Sequence, residues 1–386
     1  MTNSAGFEEP TLQAAAQRPG VKWSRPDPGV IPAWIADMDF PIAPAIVEAV
    51  ARRTALDVGY PSWLEDAGAG PLAEAFAERM ELRYGWRPDP GHVRAYTDLN
   101  QALQVILHVA TRPGDAVALH TPAYPPFLKT LADMERPALH IPFTRQGDSW
   151  AFDPDRLDAE LAATGCRALL LVNPHNPTGR VLTRKELTVL AELAERHDLL
   201  VISDEIHSDL VHGHARHIPF ATLLPERTIT LTSATKAFNL GGIRCSVAHV
   251  GPSAVREALA AQPPHIFGAV SVLAVEATVA AWRHGEDWLT RVREILDANR
   301  RALAERLPAK VGYLVPEATY LAWLDFRETG LDEEPAEFLL SRARVMASPG
   351  PLFGPGGEGF ARLGFATSRS ILAEMLDRID AAFTAR

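Results

Sequence analysis

The sequence predicts an α/β protein built on a mostly parallel central sheet. Three observations carry that expectation. Short apolar runs recur through the middle of the chain. Amphipathic helical stretches separate them. Polar clusters follow the ends of the runs, where ligands gather in sheets of this kind. The 386 residues suffice for two or three domains at roughly 100–200 residues each.

Taken in order, IPAWIADMDFPIAP (31–44) is too rich in proline for a core helix. DAVALHTPAYPPF (115–127) reads as a strand followed by a Pro-rich loop. RALLLVNPHNPTGR (167–180) is a buried strand and a turn, and LLVISDEIHSDL (199–210) is a strand ending in acids. Between these two, Thr183 and Glu186 open a helix whose apolar stripe is Leu187, Leu190, Leu193 and Ala194. RTITLTSATKAF (227–238) is a β-branched strand running into a loop, and CSVAHVG (245–251) is a further strand. After about residue 286 the pattern changes. A long helix (286–307) precedes a strand (319–326), a helix (334–345) and a Gly-rich turn into a strand (349–366). The expected organisation is a large domain, 47–285, and a smaller α+β domain made of 1–46 and 286–386.

Charge and cysteine usage exclude several function classes. Lys plus Arg is 38 and Asp plus Glu is 48, a formal charge of −10. Such a balance argues against nucleic acid or an anionic membrane as the partner, while a local pocket can still take an anionic small molecule. Cys166 and Cys245 form no CxxC pair, so neither a disulfide framework nor a metal site is expected. The start MTNSAGFEEP has no basic, apolar leader, and no run approaches a membrane span of about 18 residues. The expectation is a cytoplasmic, soluble protein.

The chemistry centres on Asp204 and Lys236. Alone, an Asp at a strand end reads as a turn residue and a Lys as a solvated one. Together, at the ends of two buried strands 32 residues apart, they have another use. A lysine in an apolar loop can lose its proton and form a Schiff base with a carbonyl. A carboxylate in the same cleft can hold a pyridine nitrogen protonated. Pyridoxal 5′-phosphate (PLP) requires that pair.

NPHNPTG (173–179), SDEIH (203–207) and SATKAFNLGGIR (233–244) stand in an order that resembles the fold-type I PLP-dependent transferases, the aspartate aminotransferase superfamily. WIADMDFPIAPAI (34–46), VGYP (58–61), RYGW (83–86) and TPAYPPF (121–127) narrow the resemblance to the cystathionine β-lyase-like C–S lyases of the MalY/PatB group. It spans about residues 22 to 376.

The resemblance implies roles for particular side chains. Lys236 is the Schiff-base lysine and then moves the Cα proton. Asp204 pairs with the pyridine nitrogen, Tyr124 stacks on the ring, and Asn176 donates to the 3′-oxygen. His207 either hydrogen-bonds near that oxygen or supports the wall. The phosphate falls to the helix start at Leu99, Asn100 and Gln101, with Ser233, Thr235 and Arg244. Tyr60 reaches the phosphate of a neighbouring subunit, which implies a homodimer with a composite site. Arg362 binds the substrate carboxylate, with Asn176 beside it, and Ala36 and Asp37 close over the substrate.

Two departures from the lyase pattern stand out. Its Gly-Val-Val-Pro-type phosphate loop is replaced by Asp98-Leu99-Asn100-Gln101, and an arginine occupies position 244. A carboxylate near a phosphate is awkward unless it caps the helix or points away. The implied reaction is α,β-elimination from cystathionine or another cysteine S-conjugate, giving thiol, pyruvate and ammonia. The alternative is an aminotransferase or a tailoring enzyme of specialised metabolism. No helix-turn-helix or basic segment suggests a DNA-binding role.

Overall fold

The protein is described by a computed structural model covering residues 7–63, 69–263 and 266–385. Residues 1–6, part of the amino terminus read above for a leader, lie outside the described residues. Seven strands make the central sheet: β1 (Val93–Tyr96), β2 (Val117–Thr121), β3 (Ala138–Pro142), β4 (Ala168–Val172), β5 (Leu200–Asp204), β6 (Thr228–Thr232) and β7 (Ser246–Val250). Their order across the sheet is β1-β7-β6-β5-β4-β2-β3. Pairing is parallel from β6 to β3, and β7 runs antiparallel to both of its neighbours. The mostly parallel sheet expected from the apolar runs is present. β2, β4, β6 and β7 are buried at every position, because helices cover both faces.

Alternation along β4 shows how one strand serves two cores. Leu170 and Val172 join the layer containing Leu103 and Ile106, from the helix Leu99–Ala110. Leu169 and Leu171 face the opposite layer, with Leu187 and Leu190. Those two leucines lie on the helix Arg184–Arg196, whose capping box pairs Thr183 with Glu186 as the sequence indicated.

A four-stranded antiparallel sheet follows in the carboxyl-terminal part: β8 (Gly312–Tyr313), β9 (Leu321–Asp325), β10 (Ser348–Pro349) and β11 (Phe360–Gly364), ordered β8-β9-β11-β10. The amino-terminal segment lies against this part. Ile31 and Pro32 pair in parallel with Val345 and Met346, and Gly364 donates its N–H to Ala33. The Pro-rich stretch after β2, expected to be a loop, becomes a helix at Pro125–Asp133 with proline at its first position. Proline suits that place because the first N–H of a helix has no partner within it.

Candidate active site

The ends of the parallel strands meet at a cavity of about 290 Å³. Tyr124 follows β2, Asn176 follows β4, Asp204 ends β5, and Ser233, Thr235 and Lys236 follow β6. Ala36, Leu99, Asn100, His207 and Arg244 complete the wall among the expected residues.

Asp204 is 4% exposed, and its carboxyl accepts one described hydrogen bond, from the Ile206 N–H at 3.0 Å. Burial pushes its pKa up to about 7, with the neighbouring Glu205 carboxylate adding to the rise. Lys236 is held in the opposite sense. Burial lowers its amine to about 8, while the Asp37 carboxylate raises it. Its Nζ donates to the Ala36 carbonyl at 2.9 Å, and the buried Tyr320 hydroxyl donates to the same oxygen at 3.0 Å. Asp37 itself is raised by burial and lowered by the Lys236 charge.

Asn176 is oriented by Arg362, whose Nη1 lies 3.1 Å from Oδ1. A guanidinium only donates, so the atom facing it is the amide oxygen and the opposite end of the amide is the donor. Arg362 also donates to the Trp34 carbonyl at 3.0 Å, and its guanidinium lies 4.9 Å from the Phe353 ring centroid. Burial lowers its pKa to about 10, so it stays cationic at neutral pH. His207 is buried, its pKa driven down to about 3 by burial and by the Lys236 and Arg362 charges. It is therefore a neutral ring, edge-on to Tyr320 with centroids 6.4 Å apart.

At the helix start the structure departs from expectation. Asp98 is the N-cap, its Oδ1 accepting the Gln101 N–H at 2.9 Å. The Gln101 side chain accepts from Thr97 and donates to the Phe267 carbonyl at 2.7 Å. Gln101 is thus turned away from the cavity. Ser233 is committed as well, since its hydroxyl lies 2.5 Å from the Cys245 carbonyl. Its proton goes to that carbonyl because a carbonyl only accepts. Thr235 keeps its hydroxyl out of any described hydrogen bond and is the better donor. Arg244 forms an ion pair with Asp98. Tyr60 is not brought to the cavity of its own chain and stands 91% exposed. Sequence reasoning missed Tyr320 and Trp34, which touch Ala36 and Arg362 across 284 and 328 residues. No motif reports such contacts.

The residues fit PLP. A buried carboxyl with a single hydrogen bond lacks the partner that a pyridinium N–H supplies. A buried lysine of lowered pKa faces the same cavity, and a helix start with unpaired N–H groups at Leu99 and Asn100 suits a phosphate.

Residues 37–379 match the family described as Aminotransferase class I and II. The chain belongs to that family. Its members are the PLP-dependent enzymes of fold type I, as the motifs implied. The chain is 35% identical to the cystathionine beta-lyase PatB of Bacillus subtilis, with 92% of each chain covered. It is 33% identical to protein MalY of Escherichia coli over 89% of each. Among solved structures, the PLP-bound C-S lyase of Staphylococcus hominis superposes with a TM-score of 0.89, at 28% identity and 98% coverage of both chains. The likeness to the MalY/PatB group within this family is borne out. Among the described residues, no group of three or more His, Cys, Asp or Glu could hold a metal ion. No described helix is long and apolar enough to cross a membrane.

Proposed function

We propose that this protein is a PLP-dependent C–S β-lyase that cleaves cystathionine or another cysteine S-conjugate to a thiol, pyruvate and ammonia. The observation that carries the reading is the opposed pair Asp204 and Lys236 facing one cavity, with Arg362 beside it, in a chain about one-third identical to cystathionine beta-lyases over most of its length. Bound PLP supplies an electron sink that stabilises negative charge at the substrate Cα.

The chain's own residues do the rest. Arg362 takes the substrate carboxylate with two parallel N–H donors. Asn176, fixed through its oxygen, would present its NH₂ to the ring oxygen of the cofactor. Tyr124 would stack against the ring, and Asp204 would hold the pyridine nitrogen in its cationic form. Lys236, near neutrality at its pKa of about 8, is matched to take up the Cα proton and pass it to the departing sulfur. The Ala36 carbonyl holds its amine in place.

Two structural readings belong to the same proposal. The chain divides into a large domain, 47–285, and a small one formed by 1–46 and 286–386. It works as a homodimer, with Tyr60 of one subunit completing the phosphate site of the other.

The test is direct. Purified enzyme with PLP is given L-cystathionine and, separately, an S-alkyl cysteine, and thiol and pyruvate are measured. Equal release of both products supports the lyase. Conversion of the cofactor to its amine form with a 2-oxo acid as co-product would replace this reading with an aminotransferase.

A further inference from the structure

Asp98 is the carboxylate in the cavity wall, besides Asp204, and has no role in the reaction above. It lines the cavity just before the start of the helix Leu99–Ala110. One of its oxygens caps the helix Leu99–Ala110 through the Gln101 N–H at 2.9 Å, and the other pairs with Arg244. The same carboxylate therefore consumes one N–H of the helix start and the guanidinium facing it. Ser233 is spent on Cys245, so the donors this wall leaves for a phosphate include the Leu99 and Asn100 N–H groups and the Thr235 hydroxyl, with Tyr60 of a second subunit in the proposed dimer. Arg244 joins them only if it leaves Asp98.

We propose that Asp98 acts as a resident stand-in for the cofactor phosphate. It holds Arg244 until phosphate displaces it, and so sets how tightly PLP is retained. The inference rests on the reading of this cavity as a PLP site. Two features make the exchange feasible. The Arg244 side chain is 58% exposed and that of Asp98 26%, and an ion pair so open to water is weak. A bound phosphate carries about −1.5 to −2 charges at neutral pH, so it outbids a single carboxylate for the guanidinium. Asp98 then remains beside the phosphate as a like charge, which loosens the complex.

Asp98→Asn isolates this effect, because asparagine caps a helix as well as aspartate does but carries no charge. Apoprotein of the parent and of the variant is titrated with PLP and, separately, with pyridoxal, which has the ring and aldehyde but no phosphate. Cofactor fluorescence gives the dissociation constants. The variant should bind PLP about tenfold more tightly. Its affinity for pyridoxal should not change. Unchanged or weaker PLP binding by the variant, or an equal gain for both ligands, overturns the role of Asp98 alone. Failure of the parent to bind PLP at all overturns the cofactor reading together with it.

Discussion

Asp204 ties the chemistry of the site to the stability of the apoprotein. Its carboxyl titrates near 3.8 in an unfolded chain and near 7 in the fold, because burial disfavours the charge. Between those values the folded protein keeps a proton that the unfolded chain has released. This group's contribution to stability therefore falls as pH rises through that window and levels off above it. At about 1.36 kcal/mol per pH unit, the loss is on the order of 4 kcal/mol. Asp204→Asn should remove that slope. In denaturant melts without PLP, the variant should match the parent near pH 4 and exceed it at pH 8, while its lyase activity collapses. A parallel pH dependence in both proteins would contradict the assignment. Arg362→Lys keeps the charge and loses the fork, so KM should rise about tenfold to a hundredfold with a smaller change in kcat, as steady-state kinetics would show. Asp204, Lys236 and Arg362 were legible in the sequence because each sits in a short motif. The commitments of Gln101 and Ser233 were not. Their partners, the Phe267 and Cys245 carbonyls, come from other parts of the chain and carry no side-chain signal.

The loop 36–40 was recognisable by its ADMDF motif, but what holds it was not. Lys22, 5% exposed, pairs with Asp39 at 2.8 Å and donates to the Asp37 carbonyl at 3.0 Å. Trp23 Nε1 donates to the other Asp39 oxygen at 2.7 Å. Asn239, at φ 57°, accepts from the Met38 N–H and donates to the Met38 and Phe40 carbonyls. These braces fix the Ala36 carbonyl against Lys236. Partners 17 and 201 residues apart meet only through tertiary folding, so local pattern could not pair them. Lys22→Met takes the buried cation from Asp39 and leaves it the Trp23 hydrogen bond and Arg18 at 4.0 Å. It should cost about 2–3 kcal/mol in urea unfolding, and the double change Lys22→Met, Asp39→Leu should recover part of that loss. Full stability of the single variant would show that the brace is idle. The turn at 173–179 has a simpler physical reading. Gly179 sits at φ 69°, and a Cβ there would lie 2.2 Å from Pro316, so the glycine in NPHNPTG is a packing requirement.

Five strands of the large sheet, β2 and β4 to β7, were visible as apolar runs, whereas β1, β3 and the order of all seven were not. β7 lies antiparallel between β1 and β6, a placement set by contacts far apart in sequence. The exposed apolar residues Val47, Leu56, Val58 and Tyr60 extend from the helix Pro44–Leu56 into the VGYP segment. That surface fits contact with a second copy of the chain. Sedimentation should return a dimer, and Leu56→Asp should shift it towards monomer while weakening PLP binding. A parent protein that sediments as a monomer with PLP bound would contradict the composite site. The whole reading converges on one covalent attachment, and the chain has only five lysines at which to find it: Lys22, Lys129, Lys185, Lys236 and Lys310. Protein loaded with PLP, reduced with borohydride and mapped by peptide mass should carry one phosphopyridoxyl group per chain, on Lys236. No label, or a label placed chiefly on another lysine, would contradict it.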